Sequence, residues 1–568
     1  MISMTMKHLA AQRIVVGFCI LLSACAAANR SGAEDADLGL AYGAFLAAEY
    51  ADAQQDPATA TQYYMTALRV DPGNPVLINN GFVSALLAGS PLAPDLAGQL
   101  PNNALAMMLL ANQAAARGDY KSAETLFSQL PGDDLTGLLK PLLLAWMVAG
   151  AGDPNAALNL LLPAAQSSPF GGIYILNAAL IADNAKDMKD AVRLYTAADA
   201  ANQTPNLRLA QIMASWKARQ GDMQGADAAL QQVVAMHATL ALALPALRAG
   251  VAKPVIATPA DGLAEAYLAI AGALDEPGEI LLRTTFLRFA LTLRPDLSAA
   301  RLLLADVQAG GEQPPQIPVR PIQLREALAT LQPIRPDDPL YGPAALQEAS
   351  LMAASGRPAD GVALLDKLLA LMPSSLDALA EAGDILRGQG QYARSITYYD
   401  RAIAALPSPP PQSAWVLYYD RGISKDQGGD WAAAEADLRT ALSLSPNQPY
   451  VLNYLGYSWA LHRENMNMAR SMLQRAVGLD PNEGDIIDSL GYVCLLEGKT
   501  KTALSLLIRA VELEPNDAEI NAHLGDAFWA AGQRLQAGYQ WQRALALQPD
   551  PKLQSQIQDK LKQIQPPA

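Results

Sequence analysis

Residues 481–515 read PNEGDIIDSLGYVCLLEGKTKTALSLLIRAVELEP, and this stretch decides the fold. Pro481 and Pro515 bound it 34 residues apart, and Pro549 follows at the same interval. Gly491 and Gly525 repeat with that period, while Gly456 precedes Gly491 by 35. Ala476, Ala510 and Ala544 each stand five residues before a proline, and Ala469, Ala503 and Ala537 stand seven before those alanines. The frame runs back through Gly422, Ala434, Ala441 and Pro446, then through Gly383, Tyr399, Ala402 and Pro407. A fixed period of this length marks stacked helix pairs.

The residue types fit that geometry. Two antiparallel helices cross closely only where side chains are small, so Gly491 is expected to face Ala503. Ala510 is small enough to admit the next unit's first helix. Leu507, Trp541 and Tyr399 fill the space between helices. Each closing proline lacks an N–H and cannot continue a helix, so it sets a turn. Asn447, Asn482 and Asn516 follow those prolines and suit turn and cap work. Cys494 sits where the unit wants a middle-sized apolar residue, which makes it core.

The units read L-G-x-x-aromatic, then A-x-x-x-large-x-x-A, then P. This resembles the tetratricopeptide repeat. The resemblance implies an all-α superhelical solenoid of antiparallel helix pairs that holds other proteins.

The N-terminal half is a drifted form of the same pattern. Ala60, Tyr64, Ala67 and Pro72 keep the frame, and Gly118-Asp119, Gly152-Asp153 and Gly221-Asp222 mark turns. Ala123 with Phe127, and Ala191 with Tyr195, fit second helices, while 265–295 ends on Ala290 and Pro295. The expected organisation is a degenerate array over 37–310 and a regular array over 340–550. A proline-rich linker, 311–339, joins them, with helix only around 322–332. A second insertion, Pro407 to Gln412, widens one loop. Leu553, Ile557, Leu561 and Ile564 form one stripe, so 551–568 reads as a capping helix and tail.

Composition narrows the function. The 568-residue chain is 51% hydrophobic and 17% charged, so it is not a disordered chain. Its formal net charge is −14, a field that repels a phosphate backbone, and nucleic acid is not an expected partner. His8, His237, His462 and His523 show no metal-ligand spacing. There is no phosphate loop and no Ser/His/Asp frame. The expectation is no enzyme, no cofactor and no metal.

The N-terminus reads as an address. Lys7 and Arg13 precede Ile14–Leu22, an apolar run too short to span a bilayer, and 1–24 fits a signal peptide. Leu22-Ser23-Ala24-Cys25 resembles a bacterial lipobox. That resemblance implies cleavage after Ala24, lipidation of Cys25, and a tether over 25–36. Ala26 and Ala27 follow the cysteine, which by the enteric sorting rule implies an outer-membrane lipoprotein facing the periplasm. Several acyl chains give stable anchoring.

The repeat family lines its groove with residues three before, one after and four after the glycine. Here that resemblance places Tyr419, Asn453, Tyr457, Asp488, Tyr492, Asp526 and Trp529 at the partner-binding surface. Ile423, Asp426, Ala460, Leu495 and Ala522 take the remaining positions, and no lysine is among them. A clamp for an acidic terminus is therefore not expected. Tyrosines give broad contact at low entropy cost, and the carboxylates favour a partner segment bearing Lys or Arg. NYLGYSWA, DIIDSLGYVCLLEG and EINAHLGDAFWAAG in 451–549 resemble a family of proteobacterial outer-membrane lipoproteins. One type is the adaptor of a periplasmic C-terminal-processing protease that presents cell-wall hydrolases to it. That implies a tether for such a protease or its substrates. The alternative is an assembly factor for an envelope machine such as a pilus, secretin or polysaccharide exporter.

Overall fold

The Gly-Asp turns show how one helix ends and the next begins. Gly118, Gly152 and Gly221 adopt φ of +79°, +104° and +88°, a left-handed backbone that glycine takes without strain. The following aspartates accept the backbone N–H groups of Ser122, Ala156 and Gly225 at 3.2, 2.9 and 2.8 Å. Each aspartate thus caps the next helix by satisfying an orphan donor.

A computed structural model describes residues 32–132, 135–167, 170–201, 206–274, 277–311 and 319–563. Among the described residues are 30 α-helices and no strand, arranged as a solenoid of antiparallel helix pairs. None of these helices is long and apolar enough to cross a membrane. The signal segment 1–24 and Cys25 lie outside the described residues. The first helix, Gly32–Ala53, begins inside the expected 25–36 tether. The chain divides into two compact units, Met1–Leu364 and Leu365–Ala568.

In the first unit the repeats do not leave an open groove. Helices Pro259–Ala273 and Ile280–Leu293 form a hairpin that packs against Pro75–Ala88, Ala104–Ala116, Leu135–Gly150 and Gly171–Asn184. Read in frame, 265–295 is one more repeat; in space it fills the face that earlier repeats present. Leu263, Tyr267, Ile270 and Phe289 are fully buried there. Tyr267 O–H donates to Asn112 Oδ1 at 3.1 Å, and its ring stacks on Phe286 at 5.9 Å. Glu265, almost fully buried, accepts from Arg208 Nε at 2.7 Å and from Arg294 Nη1 at 2.9 Å. Two guanidiniums satisfy a carboxylate that would be costly to bury unpaired.

The division after Leu364 differs from the expected linker at 311–339. Of that stretch, 312–318 lie outside the described residues. Pro321–Leu331 is a helix, with Pro321 in the first turn, where a missing N–H costs nothing. Leu324, Ala327 and Leu331 bury their side chains with Ala305 and Ala344. Arg320 donates to Gln54 Oε1 at 2.8 Å and to Gln55 Oε1 at 2.9 Å, which ties the start of this helix to the turn after Gly32–Ala53. A cavity of about 370 Å³ remains beside this closure, bordered by Val83, Ile280, Gln323 and Glu326.

The second unit is regular. First and second helices alternate as Leu376–Gly388 with Tyr392–Ala404, Trp415–Gln427 with Trp431–Leu444, and Pro449–Leu461 with Met466–Leu479. Gly484–Leu496 with Thr500–Leu513 and Ala518–Ala530 with Arg534–Ala546 follow, and Pro551–Lys562 closes the series. At Gly491, Gly525 and Gly383 the repeat glycine faces a bulky side chain rather than the expected alanine. A Cβ at Gly491 would lie 2.8 Å from Leu507 Cγ, and one at Gly525 would lie 2.4 Å from Trp541 Cδ1. Gly383 meets Tyr399 in the same way, at 2.6 Å from Cε1. The glycine leaves a notch, and the large residue of the second helix lies in it. Cys494 is buried among these contacts. Asn447 and Asn516 accept from Arg475 and Arg543, so each turn is gripped from the second helix of the following unit.

Candidate binding groove

Successive first helices lie against one another: Pro449–Leu461 against Gly484–Leu496, and Gly484–Leu496 against Ala518–Ala530. Successive second helices do not approach as closely. The first helices therefore take the inside of the bend. These three helices contain no Lys or Arg, yet they carry Asp485, Asp488, Glu519 and Asp526.

An aromatic ladder crosses them. Tyr457 and Tyr492 lie 6.0 Å apart and tilted, and Tyr492 stacks on His523 at 4.0 Å. His523 Nδ1 is 2.7 Å from Asp488 Oδ2, with both side chains buried. Burial alone would depress the imidazole, but the Asp488 carboxylate outweighs it and raises the His523 pKa above its ordinary value. The protonated ring then donates Nδ1–H to the carboxylate. Asp488 Oδ1 and Asn453 Oδ1 are buried and have no hydrogen-bond partner among the described residues. A buried acceptor without a partner is costly, so both positions carry an unmet hydrogen-bonding demand.

Acidity extends to the rim. Carboxylate oxygens of Glu483, Asp485 and Glu514 lie within 4.8 Å of one another. Burial, then the charges of Glu514, Asp517 and Asp488, pushes the Asp485 carboxyl up to about 6. Further along the unit, burial and Asp384 push the Asp420 carboxyl up to about 7, with Arg387 opposing.

These shifts share one sign. A carboxyl whose folded pKa is raised contributes stability below its unfolded value and loses it as pH rises through the folded value. Raised His523 behaves likewise, with full contribution below about 6.5. The Leu365–Ala568 unit is thus expected to melt at higher temperature at pH 5.5 than at pH 8, as read by circular dichroism. A midpoint that falls steadily from pH 8 to 5.5 would contradict these assignments.

Of the residues expected at the groove, Tyr457, Asp488 and Tyr492 come together around His523. Asn453 is half-buried on the neighbouring turn of the Tyr457 helix. Tyr419 is half-buried with a different group, edge-on to Tyr454 at 6.0 Å and tilted against Trp415 at the same distance. Burial pushes its hydroxyl up to about 12. Trp529 packs on Trp541 at 5.6 Å, beneath the Arg534 guanidinium at 5.3 Å. Asp526 is already engaged: it accepts from Trp541 Nε1 at 3.0 Å and from Lys560 Nζ at 2.7 and 2.8 Å.

Sequence reasoning weighed His523 for metal-ligand spacing and passed over it. The informative interval was to Asp488, 35 residues earlier, which is one repeat and places the two on adjacent first helices. Lys560 was legible only as part of the polar face of the capping helix.

Residues 346–410 and 419–484 match the family model described as a tetratricopeptide repeat. Those two segments are tetratricopeptide repeats. No curated protein matches the chain. Among solved structures, the chain is similar to the Cut9–Hcn1 hetero-tetramer of APC/C. It is 17% identical to it over 92% of this chain and 95% of that one, with a TM-score of 0.38. Yeast Tom70 is 12% identical over 81% of this chain and 95% of its own, with a TM-score of 0.37. YrrB, a TPR protein with an unusual peptide-binding site, is 21% identical over 34% of this chain and 97% of its own, with a TM-score of 0.26. No residue role is carried over from these likenesses.

Proposed function

We propose that this tetratricopeptide-repeat protein is a membrane-anchored periplasmic adaptor whose C-terminal groove holds an extended partner segment bearing Lys or Arg. The observation that carries the groove is the inner face of helices 449–461, 484–496 and 518–530. It offers stacked rings, four carboxylates and no Lys or Arg of its own. Aromatic rings beside carboxylates suit a segment with alkyl-ammonium or guanidinium side chains and free backbone donors. The anchored, periplasmic half of the reading rests on the Leu22–Cys25 motif. The lipoprotein-like run in 451–549 supports a client among periplasmic C-terminal-processing proteases or the wall hydrolases they degrade.

The filled face of the first unit supports placing partner binding in 365–568. The test is affinity capture of the lipidated chain from gently solubilised envelopes, followed by mass spectrometry. Recovery of a processing protease with a wall hydrolase is the expected result, together with hydrolase accumulation on deletion. Recovery of secretin, pilus or export subunits instead would replace the adaptor by an assembly factor.

A further inference from the structure

Asp526 follows Gly525 as Tyr492 follows Gly491 and Tyr457 follows Gly456, so it occupies a groove position of the last repeat. It lies close enough to Tyr492 and His523 to act electrostatically on both. What reaches it comes from the closing helix, Pro551–Lys562. That helix is seated by fully buried Ile557, with Leu553 and Leu561 against the Trp541 cluster. One turn beyond Ile557, Lys560 directs its ammonium back into the groove. Nζ lies 2.8 and 2.7 Å from the two Asp526 oxygens and 5.8 Å over the Trp541 ring.

A carboxylate with both oxygens on one ammonium, beside an indole face, is a recognition geometry for a primary ammonium. Trp529 packs on Trp541 at 5.6 Å and backs that indole. The neighbouring carboxylate Asp488 pairs with the His523 ring rather than with an ammonium. Lys560 remains about one-third exposed, so water and competing cations reach the pair. A part-exposed pair of this kind is worth little and exchanges readily.

We infer that Asp526, Trp541 and Trp529 form a lysine subsite at the C-terminal end of the groove, and that Lys560 fills it in cis. A partner's lysine enters this subsite by displacing the Lys560 ammonium. The inference rests on the groove reading above and adds the chemical class of one contact and its internal competitor. Seating of the closing helix through Ile557 does not depend on Lys560, so the side chain can leave while the helix stays.

The test uses the full chain and a fluorescein-labelled peptide of four Ser-Gly-Lys repeats, followed by fluorescence anisotropy. Lys560→Gln and Lys560→Met are each expected to bind it about fivefold more tightly than the parent. Asp526→Asn should weaken binding, and adding Lys560→Gln to Asp526→Asn should give no gain. The inference is overturned if both Lys560 variants bind as the parent does while Tyr492→Ala loses the peptide; the groove then stands without this subsite. It is equally overturned if Lys560→Gln tightens binding when Asp526 is already Asn. If no variant binds the peptide, the groove reading fails and takes the subsite with it. A thermal melt of each variant excludes loss of the fold as the cause.

Discussion

Gly262→Val is expected to destabilise the Met1–Leu364 unit by about 3 kcal/mol or more. A Cβ at Gly262 would lie 2.1 Å from Trp146 Cη2 and 2.3 Å from both Cζ2 and Cζ3. No real contact of that kind survives, so either the hairpin or the indole must move. Trp146 is fully buried, and its Nε1–H donates to Asn177 Oδ1 at 2.9 Å. Shifting the ring breaks that bond and leaves a buried amide oxygen short of a donor. Valine adds two methyls to the clash. The control sits in the same helix: a Cβ at Gly272 meets nothing within 4 Å, so Gly272→Ala should be neutral or slightly stabilising. Urea unfolding followed by near-ultraviolet circular dichroism compares the two. Equal midpoints for Gly262→Val and the parent would mean that the 259–293 hairpin does not pack on the 135–150 helix.

The second large effect is expected at Asp488. Asp488→Ala removes the group that keeps buried His523 protonated. Burial then dominates the imidazole, whose pKa should fall below the ordinary histidine value, with only Glu519 and Asp526 opposing. The cost in stability is about 2 kcal/mol, below that of a stranded buried ion, because histidine can shed its proton. The cost should grow as pH falls below 6, where the unfolded histidine is charged and the folded one resists charging. Proton NMR of the His523 ring gives the titration directly. An unchanged His523 midpoint would show that Asp488 does not set its charge. The Ser-Gly-Lys peptide should also bind Asp488→Ala about tenfold more weakly, since a central groove carboxylate is gone.

The two halves differed in how much of this was visible in the residues. In 365–568 the periods of glycine, alanine and proline prescribe helix pairs, because each pair must meet its neighbours in one way. The pattern misled only about which side chain fills the glycine notch. Ala503 and Leu507 lie one turn apart on the same helix, and spacing does not say which one reaches Gly491. In the first unit, Ala290 and Pro295 keep the repeat frame while their helices do something else. Gly262 on Trp146 and Tyr267 on Asn112 join residues more than 110 positions apart, and no local pattern carries that information. Within the proline-rich stretch 311–339 the helix expected around 322–332 is present as Pro321–Leu331, begun by a proline rather than broken by it. At the groove, repeat register put Tyr457, Asp488 and Tyr492 on adjacent first helices, where they lie near one another. It missed their link to His523 because that link crosses between repeats.

Closure of the first unit bears on how the chain acquires its structure. Arg288 donates to Leu87 O across 201 residues, and Arg320 reaches Gln54 across 266. Such pairs form only after most of the intervening chain has been made and brought together, at a large loss of loop entropy. The Leu365–Ala568 repeats meet chiefly their immediate neighbours, so each can order as soon as the next emerges. Folding is therefore expected to run against chain order, with the later-made half reaching its native state first. Pulsed hydrogen exchange should find amides of 449–546 protected while those of 259–293 still exchange.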